Sequence, residues 1–516
     1  MKNFIVKSLK TIYDAFPVLN RPLAVCAVIA CASILFLFNF SEVSLSLLAL
    51  FLLTSIAVCL IFKNKKLVVI SVLFLAVCIS AVNELIFIDE MSALDGKTVT
   101  ADVVAVEDSV KYEKVTKVTA YCAKSDSIPT NTKLDLYYFF DSDIKCGDSF
   151  SASIKVARLK DDRYKLSKLG NSIYAQTRLV KINEQYSPNG FFSFIAGIRH
   201  YISDSVGNNY SGDNSAVMMA LTTGDRSQLS DEFYNRVLVC GVSHIMVVSG
   251  LHIAIILGTV FSLIEKFFYN RYLKALASLA LIFVICALCG FTVSVIRAGA
   301  MFLFSAISPV FMRKNDPLNS LGASVVLILY ITPTCVFNVA FWLSVLSTAA
   351  VVWIAPFYSD LIARGLMLRT RIAKTVVSVF IVSLSAMIFT APVSLYVFGY
   401  ISILSPVAFL LLTFPVTGAL ILNSAALSIS SVGFLGYVAK PLFFCSQILI
   451  RYIRFIIDCL GQLDFMRIDA DIYSFTVFLL LIFALVAAMY LYKFYVKLTK
   501  RMFVSEVKAR AGNNGK

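Results

Sequence analysis

Ionisable and hydroxyl side chains are concentrated in one otherwise apolar stretch, CGVSHIMVVSGLHIAII, at residues 240–256. His244 and His252 are two of the three histidines in the chain, and Ser249 lies between them. An ionisable group at the centre of a bilayer costs roughly 2.5–3.5 kcal/mol on insertion scales, so such groups face a bundle interior or a water-filled cavity. His244, Val248 and His252 share one helix face because they are four residues apart. The pattern predicts the wall of a polar passage; the alternative is a set of hydrogen bonds that only holds helices together.

Glycines occur near both ends of this polar group and in the loop before it. Gly241 and Gly250 permit a helix break or a close approach of two backbones. The preceding segment ALTTGDRSQLSDEF, at residues 220–233, places a glycine and two charges where the span would begin. We expect three residues to shape the mouth of the passage: Gly224, Asp225 and Arg226.

A further charge, Arg297, stands alone between two apolar runs in the segment VSVIRAGA. A charge at or near membrane depth is normally paired or faces a polar cavity. Asp225 and a lipid phosphate are both suitable partners, and the sequence does not choose between them. Arg297 is therefore predicted either to meet a phosphate group or to hold the fold.

Catalytic chemistry has weak support in the same residues. His200, His244 and His252 form no HxH or HxxxH pair, and eight residues of continuous helix separate the last two by about 12 Å, which is too far for one metal ion. Ser249 and His252 suit an intramembrane serine protease, but such enzymes usually show Gly-x-Ser-Gly, and Val247 occupies the first position. The sequence therefore predicts no enzyme, no metal and no cofactor.

The composition is that of a polytopic α-helical membrane protein. The chain has 59% hydrophobic and 15% charged residues, with a mean hydropathy of +0.82, and its apolar runs predict about 10–12 spans. Residues 89–190 hold fifteen basic and fifteen acidic residues, so this segment has no net charge. The membrane part holds the other 46 − 15 = 31 basic and 31 − 15 = 16 acidic residues, and therefore the whole net charge of +15. The positive-inside bias and anionic lipids account for this excess; a polyanionic passenger is the sharper alternative.

Apolar periodicity divides the chain into five predicted segments. Apolar and polar residues alternate with period two at 150–156, and similar runs recur near 99–103, 134–138 and 173–179. About five short strands suggest a small barrel, for which an OB-like barrel is one candidate. The predicted organisation is three transmembrane helices (1–88), an extracytoplasmic β-rich, OB-like domain (89–190), amphipathic interfacial helices (191–240), a polytopic channel domain (241–495) and a basic cytoplasmic tail (496–516).

The β domain contains two cysteines, Cys122 and Cys146. They would form a disulfide if the domain faces an oxidising exterior; two unpaired thiols are the alternative.

The polytopic segment contains nine predicted spans. They lie near residues 243–263, 275–295, 298–312, 318–332, 338–356, 375–396, 402–421, 423–439 and 472–493.

The block LTTGDRSQLSDEF...CGVSHIMVVSGLHIAI resembles the signature of the ComEC family of bacterial competence proteins. Further segments agree with that family: IRAGAM at 296–301, FWLSVLST at 341–348 and TAPVSLYVFGYISILSP at 390–406. The order of parts also agrees, with leading spans, a small outer domain and a polytopic region. Two departures are visible. The sequence lacks the clustered His and Asp residues of the metallo-β-lactamase-like domain that many members carry, and it reads Ser405-Pro406 where the family often has Asn.

The resemblance implies a channel for single-stranded DNA in the bacterial cytoplasmic (inner) membrane, used in natural transformation. The expected passage residues are Asp225, Arg226, His244, Ser249, His252 and Arg297. In the outer domain we expect bases to stack on Tyr121, Tyr137 or Tyr138. Expected partners are membrane lipids, a DNA receptor, a separate nuclease, a cytoplasmic ATPase or helicase, and a second copy of the chain. A transporter of a small anionic or amphipathic solute is the alternative function.

Overall fold

The computed structural model describes residues 21–39, 65–106, 108–111, 115–140, 144–159, 162–186, 191–226, 228–243, 250–267, 269–308, 310–312, 316–431, 436–463, 467–469 and 472–513. Most of these residues are helical. The second predicted N-terminal span lies outside the described residues, as do His244 and Ser249.

In the described residues before the β domain, the chain forms two apolar helices, α1 (Pro22–Asn39) and α2 (Lys65–Ser92). Both lie within the segment 1–88, where three transmembrane helices were predicted. Small and apolar side chains such as Cys26, Ala30 and Val77 are buried where the helices pack, which lets the two backbones approach closely.

Six strands of the described residues form the β domain: β1 (Thr98–Ala105), β2 (Val110–Lys111), β3 (Thr116–Ser125), β4 (Lys133–Tyr138), β5 (Ser149–Ala157) and β6 (Gln176–Tyr186). They lie in one sheet in the order β1-β5-β6-β4-β3-β2, and an additional pairing of β1 with β3 closes it into a barrel. These strand pairs are antiparallel except β4 with β6. Helix α3 (Asp162–Gly170) lies between β5 and β6 in the chain.

The barrel confirms a small β-rich domain, while its OB-like class stays a prediction. Four strands lie at or beside the four alternating runs in the sequence. Strand β3 was not predicted because its buried residues, Ala120 and Cys122 among them, are small and its outward residues are mixed. Large side chains such as Leu136, Phe150 and Ile154 fill the interior, which is the usual way that a small barrel is stabilised.

The predicted disulfide between Cys122 and Cys146 is not formed. Both residues are buried thiols. The Cys122 thiol donates to the carbonyl oxygen of Ile128 at 3.8 Å, and that of Cys146 donates to the carbonyl oxygen of Val106 at 3.0 Å. The two side chains are therefore directed at different backbone groups, and the barrel is closed by strand pairing instead of a covalent bridge.

Three helices follow the barrel: α4 (Phe191–Asn209), α5 (Asp213–Thr222) and α6 (Asp231–Val239). Helices α4 and α6 lie in the segment 191–240 that was predicted to form amphipathic helices, whereas α5 buries an unbroken apolar run at 216–221. Ser230 caps α6 by accepting a hydrogen bond from the backbone N–H of Phe233. All three helices share one hydrophobic core with the later helices α14 (Ser405–Ser430) and α15 (Gly436–Leu460).

The remaining helices are α7 (Gly250–Phe267), α8 (Arg271–Leu288), α9 (Val293–Ile307), α10 (Pro317–Ile331), α11 (Val339–Ala349), α12 (Ala355–Gly365), α13 (Arg371–Phe398) and α16 (Ile472–Asn513). A π-helical turn, Ala350–Ile354, joins α11 to α12. A short two-stranded antiparallel sheet of β7 (Tyr400–Ser402) and β8 (Arg467–Asp469) links the start of α14 to the start of α16.

Within the described residues, six helices are long and apolar enough to cross a membrane. Three shorter apolar helices are Leu23–Leu35, Val293–Ile307 and Pro317–Ile331. The prediction of separate spans at 402–421 and 423–439 was wrong, because α14 continues to Ser430 and α15 begins at Gly436. The six are Ser71–Ser92, Arg271–Leu288, Val339–Gly365, Arg371–Phe398, Ser405–Ser430 and Tyr473–Val496.

Polar contacts fix the barrel on the helix that carries part of the candidate site. The Asn338 side chain donates to the carbonyl oxygen of Gly170 at 2.9 Å and caps α11 by accepting from the backbone N–H of Ala340. The hydroxyls of Tyr174 and Thr334 both donate to Glu84 Oε1, at 2.6 and 2.9 Å. The start of α11 is therefore held by the barrel.

Candidate functional site

Arg297 lies one turn into α9, and its side chain is only 6% exposed. Its Nε donates to the Ser344 hydroxyl oxygen at 2.7 Å, and its Nη1 donates to the Thr348 hydroxyl oxygen at 2.6 Å. Nη1 also contacts the Met301 sulfur at 3.4 Å. The guanidinium is thus held between two helices by neutral groups.

The two hydroxyls are presented together because Ser344 and Thr348 are four residues apart on α11. The Thr348 hydroxyl donates to the carbonyl oxygen of Ser344 at 2.8 Å, so an oxygen lone pair remains to accept from Arg297. The π-helical turn begins two residues after Thr348. Turns of this kind are rare and are frequently found at functional sites.

Arg297 contacts no carboxylate among the residues that the structure describes. The pairing with Asp225 that the sequence left open is therefore not found. Asp225 and Arg226 are half-buried in the loop after α5, where the Asp225 backbone N–H donates to the Thr223 hydroxyl. Nη1 of Arg226 donates to the Tyr234 hydroxyl oxygen at 3.3 Å.

Of the polar stretch, the structure describes Gly250 and His252 in α7, and it places Gly250 beside Arg297. A Cβ atom added to Gly250 would lie 2.6 Å from Nη2 of Arg297. His252 is 1% exposed, and its neighbours Ile253 and Leu257 pack with α8 and α9. The guanidinium therefore uses space that only a glycine leaves open.

Gly224 and Gly241 both have positive φ angles, +84° and +69°, a conformation that glycine adopts without strain. A Cβ at Gly241 would lie 2.8 Å from the Cβ of Ser402 and 3.0 Å from that of Ser405. The Ser405 hydroxyl donates to the Gly241 carbonyl oxygen at 3.2 Å. The segment that leads into the polar stretch is thus packed on the start of α14.

The sequence analysis missed the roles of Ser344 and Thr348 at Arg297, and of Ser402 and Ser405 at Gly241. The segment FWLSVLST supported the family resemblance without a role for its hydroxyls. A serine and a threonine spaced by four residues in an apolar helix were the available signal.

The stacking prediction for the barrel fails at Tyr138, which is fully buried. The hydroxyl of Tyr137 accepts from Lys168 Nζ at 3.0 Å. Phe139, the next residue, is 59% exposed, and the Arg178 guanidinium lies 4.6 Å from its ring centroid. The exposed aromatic rings directly after β4 are therefore the phenylalanines Phe139 and Phe140.

Titratable side chains were also compared with the arrangement of a metal centre. Among the described residues, no group of three or more His, Cys, Asp or Glu side chains is placed to hold a metal ion. The distinctive chemistry of this part of the molecule is that of a buried cation with hydroxyl ligands.

The polar block and the α9–α11 contact both lie within one family match. The model of a family described as Competence protein matches residues 221–494, more than half of the 516-residue chain. The chain belongs to this family. The match confirms the resemblance drawn from the sequence, since Asp225, His252 and Arg297 all lie inside it.

The chain is similar to two named proteins. It is 25% identical over 263 residues to ComE operon protein 3 of Bacillus subtilis, which covers 49% of the chain and 32% of that protein. It is 28% identical over 137 residues to Recombination protein 2 of Haemophilus influenzae, covering 25% and 17%. The matched regions thus span about a third or less of these relatives' length. No solved structure matches the chain.

Proposed function

We propose that the chain passes single-stranded DNA across the bacterial cytoplasmic membrane during competence. The observation that carries this proposal is the buried guanidinium of Arg297, which has hydroxyl partners and no carboxylate partner in the described residues. A charge removed from water without a counter-charge attracts an ion of opposite sign strongly, because the surroundings have a low dielectric constant. The phosphodiester backbone supplies such ions in series.

The small number of charged groups suits movement along the passage. Many strong phosphate contacts would hold a strand in place, whereas transport requires contacts that form and break. Arg297 supplies one cation, and Ser344 and Thr348 supply neutral groups around it. His244, Ser249, Asp225 and Arg226 stay candidates for the rest of the lining and the mouth.

In this conformation the proposed passage is closed. His252 is 1% exposed and Arg297 is 6% exposed, so both would have to become accessible when a strand enters. Helices α7, α9 and α11 meet at this point, and a relative movement of these helices would open it. We propose that the DNA receptor, a nuclease and an ATPase or helicase are separate partners, and that lipids and a second copy of the chain complete the assembly.

Uptake of radiolabelled DNA tests the function. A strain without the gene should bind labelled DNA at its surface but protect none of it from added nuclease, and a plasmid copy should restore protection. Normal protection in the deletion strain would contradict the proposal.

Accessibility at position 252 tests the closed passage. In a His252→Cys variant at normal protein level, a membrane-impermeant maleimide should label the thiol slowly at rest and faster during DNA uptake. A thiol that never reacts in either condition would argue against a water-accessible route at His252.

A transporter of a small anion is the second candidate, and the burial of Arg297 favours it, since a closed site suits a single ion. Transport of labelled phosphate or sulfate by the chain in liposomes, together with normal DNA protection in the deletion strain, would replace the first proposal with this one.

A further inference from the structure

Helix α15 carries a row of exposed side chains along most of its length. The residues of this row are three or four positions apart, so they share one face of the helix. Each aromatic or aliphatic member has half or more of its surface exposed, and the two basic members are exposed as well. We call this row the outer stripe, and it consists of Tyr437, Lys440, Phe444, Ile448, Arg451 and Phe455.

The other sides of α15 are used within the protein. Apolar residues of the opposite face pack in the core that α15 shares with α14. Nη2 of Arg454 lies 2.6 Å from Oδ2 of Asp213 in α5. Oδ1 of Asp458 lies 2.8 Å from Nη1 of Arg236 in α6. The charges at the side of the helix are therefore neutralised by neighbouring helices.

The two cations of the outer stripe are in a different situation, because neither is paired with a carboxylate among the described residues. Lys440 Nζ lies 4.9 Å from the ring centroid of Tyr437. Arg451 stands on the stripe between Ile448 and Phe455. A guanidinium among lipid-exposed apolar side chains is costly unless it reaches a headgroup or water. The stripe therefore suits a partner that is both apolar and anionic.

We propose that the outer stripe binds anionic phospholipid. Lys440 and Arg451 contact the headgroup phosphates, and the rings and Ile448 lie among the acyl chains. Tyr437 fits this placement, since tyrosine is enriched where a membrane meets water. Helix α15 packs along α14, which is apolar and long enough to cross a membrane, so lipid is at hand. This inference does not depend on the passage of DNA.

Two other partners fit the outer stripe less well. Two copies of the chain that pair their stripes antiparallel place Lys440 opposite Arg451, and parallel copies place each cation opposite itself. Like charges in contact disfavour both arrangements. A nucleic-acid strand presents a phosphate at every nucleotide, whereas these two cations are eleven residues apart, about 16 Å along the helix, with apolar side chains between them.

Quenching by brominated lipid tests this surface in the full chain. The Phe444→Trp variant places a tryptophan on the stripe, and the fluorescence of the unaltered chain, which contains Trp342 and Trp353, is subtracted. The protein is reconstituted in vesicles of phosphatidylcholine with a minor share of phosphatidylglycerol. An equal amount of either lipid carries bromine on its acyl chains, and the ratio of the two quenching constants measures the preference for anionic lipid. Ile448→Trp carries the probe if Phe444→Trp does not fold.

Brominated phosphatidylglycerol should quench more strongly than brominated phosphatidylcholine. Arg451→Gln and Lys440→Gln should each lower this preference about fivefold, as expected for one basic side chain at an anionic membrane surface. Arg451→Lys should retain the preference, and high salt should reduce it. Lys124→Gln is the matched control, because it removes one exposed cation from the barrel; it should leave the ratio unchanged.

Two results would overturn the proposal with lipid in contact: equal quenching by the two lipids, or a preference that Arg451→Gln and Lys440→Gln leave unchanged. Absence of quenching by either lipid would overturn it as well, and is the result expected if a second copy or a nucleic acid covers the stripe. None of these results bears on DNA transport, which is judged by nuclease protection in the deletion strain.

Discussion

Asp135 in the β-barrel and Arg297 in the helical bundle are both buried charged side chains, but their hydrogen-bond partners differ in charge. Asp135 is 2% exposed, and its Oδ2 lies 2.6 Å from Lys168 Nζ and 3.1 Å from Lys117 Nζ. Arg297 is 6% exposed and is held by the hydroxyls of Ser344 and Thr348. The barrel therefore supplies counter-charges to its buried ion, and the described part of the bundle does not.

The ionisation of Asp135 shows how complete that compensation is. Burial alone would raise the pKa of this carboxyl group, but the hydrogen bond from Lys168 and the charge of Lys117 outweigh burial and lower the pKa below its usual value. Burial would likewise lower the pKa of Lys168, yet its hydrogen bonds with Asp135 and Tyr137 raise it. Buried charges that compensate each other in this way stabilise a fold. A buried charge such as Arg297, which has no counter-charge among the described residues, is able to bind a charged ligand.

The largest expected effect is on the barrel, in the Asp135→Asn variant. Removing one partner of a buried ion pair typically costs about 3–5 kcal/mol, because the other charge stays buried without compensation. The melting of the β-sheet infrared band of the full chain should move to a clearly lower temperature. Asp126→Asn, at an exposed position, should leave the melting temperature unchanged; an equal effect of both variants would remove the contrast with Arg297.

The next largest effect is on uptake, in the Arg297→Met variant. Loss of a charged donor worth roughly 1.5–3 kcal/mol corresponds to about a 10- to 150-fold lower rate of nuclease-protected DNA uptake. The protein level should stay normal, since Thr348 already donates to the Ser344 carbonyl oxygen. Arg364→Met, at an exposed ion pair, serves as the control. A folded Arg297→Met chain with normal uptake would make Arg297 a structural residue like Asp135.

Acidification should affect the barrel through Asp135. Because the folded-state pKa is lowered, the stabilisation is present above the unfolded value of roughly 3.9 and is lost as the pH falls through the folded value. The infrared melting temperature of the barrel should therefore decrease between neutral pH and pH values below the unfolded pKa. The decrease should be smaller in Asp135→Asn, and a pH dependence identical in both proteins would contradict the assignment.

The smallest effect is expected for a buried hydrogen bond between two uncharged side chains. The Tyr210 hydroxyl donates to Asn423 Oδ1 at 3.0 Å, and burial raises the pKa of Tyr210 to about 12, so it stays protonated. Tyr210→Phe should destabilise the chain by about 0.5–1.5 kcal/mol without changing DNA uptake. Thermal unfolding of the helical infrared band measures this, with Tyr269→Phe at a 99% exposed position as the control. A large loss of uptake would place this pair in the transport pathway.

Local patterns predicted much of the fold. Apolar runs located α1, α2 and most later helices, and period-two alternation located four strands of the barrel, because each signal depends on residues adjacent in the sequence. Strand β3 and helix α5 were missed for the same reason. The former has small inward residues, and the latter has an unbroken apolar run at 216–221, which gives no helical periodicity to detect.

The site was predicted in part. Arg297 and Gly250 were singled out because a lone charge and a glycine in an apolar segment are unusual in themselves. The Cys122–Cys146 bridge and the Asp225–Arg297 pair were not found, since residue type and chain distance do not determine which side chains face each other. The exposed ring at Phe139 was also missed, because the tyrosines beside it gave an equally good pattern.

The amino-acid sequence by itself determined a polytopic membrane protein with a β-rich domain and a polar group inside one apolar segment, because composition and periodicity are local properties. Only the tertiary structure decided what surrounds that group. Ser344 and Thr348 reach Arg297 across 47 and 51 residues of chain, and Gly250 reaches it from a third helix. Such contacts depend on how three helices pack, and helix packing depends on all of their faces together.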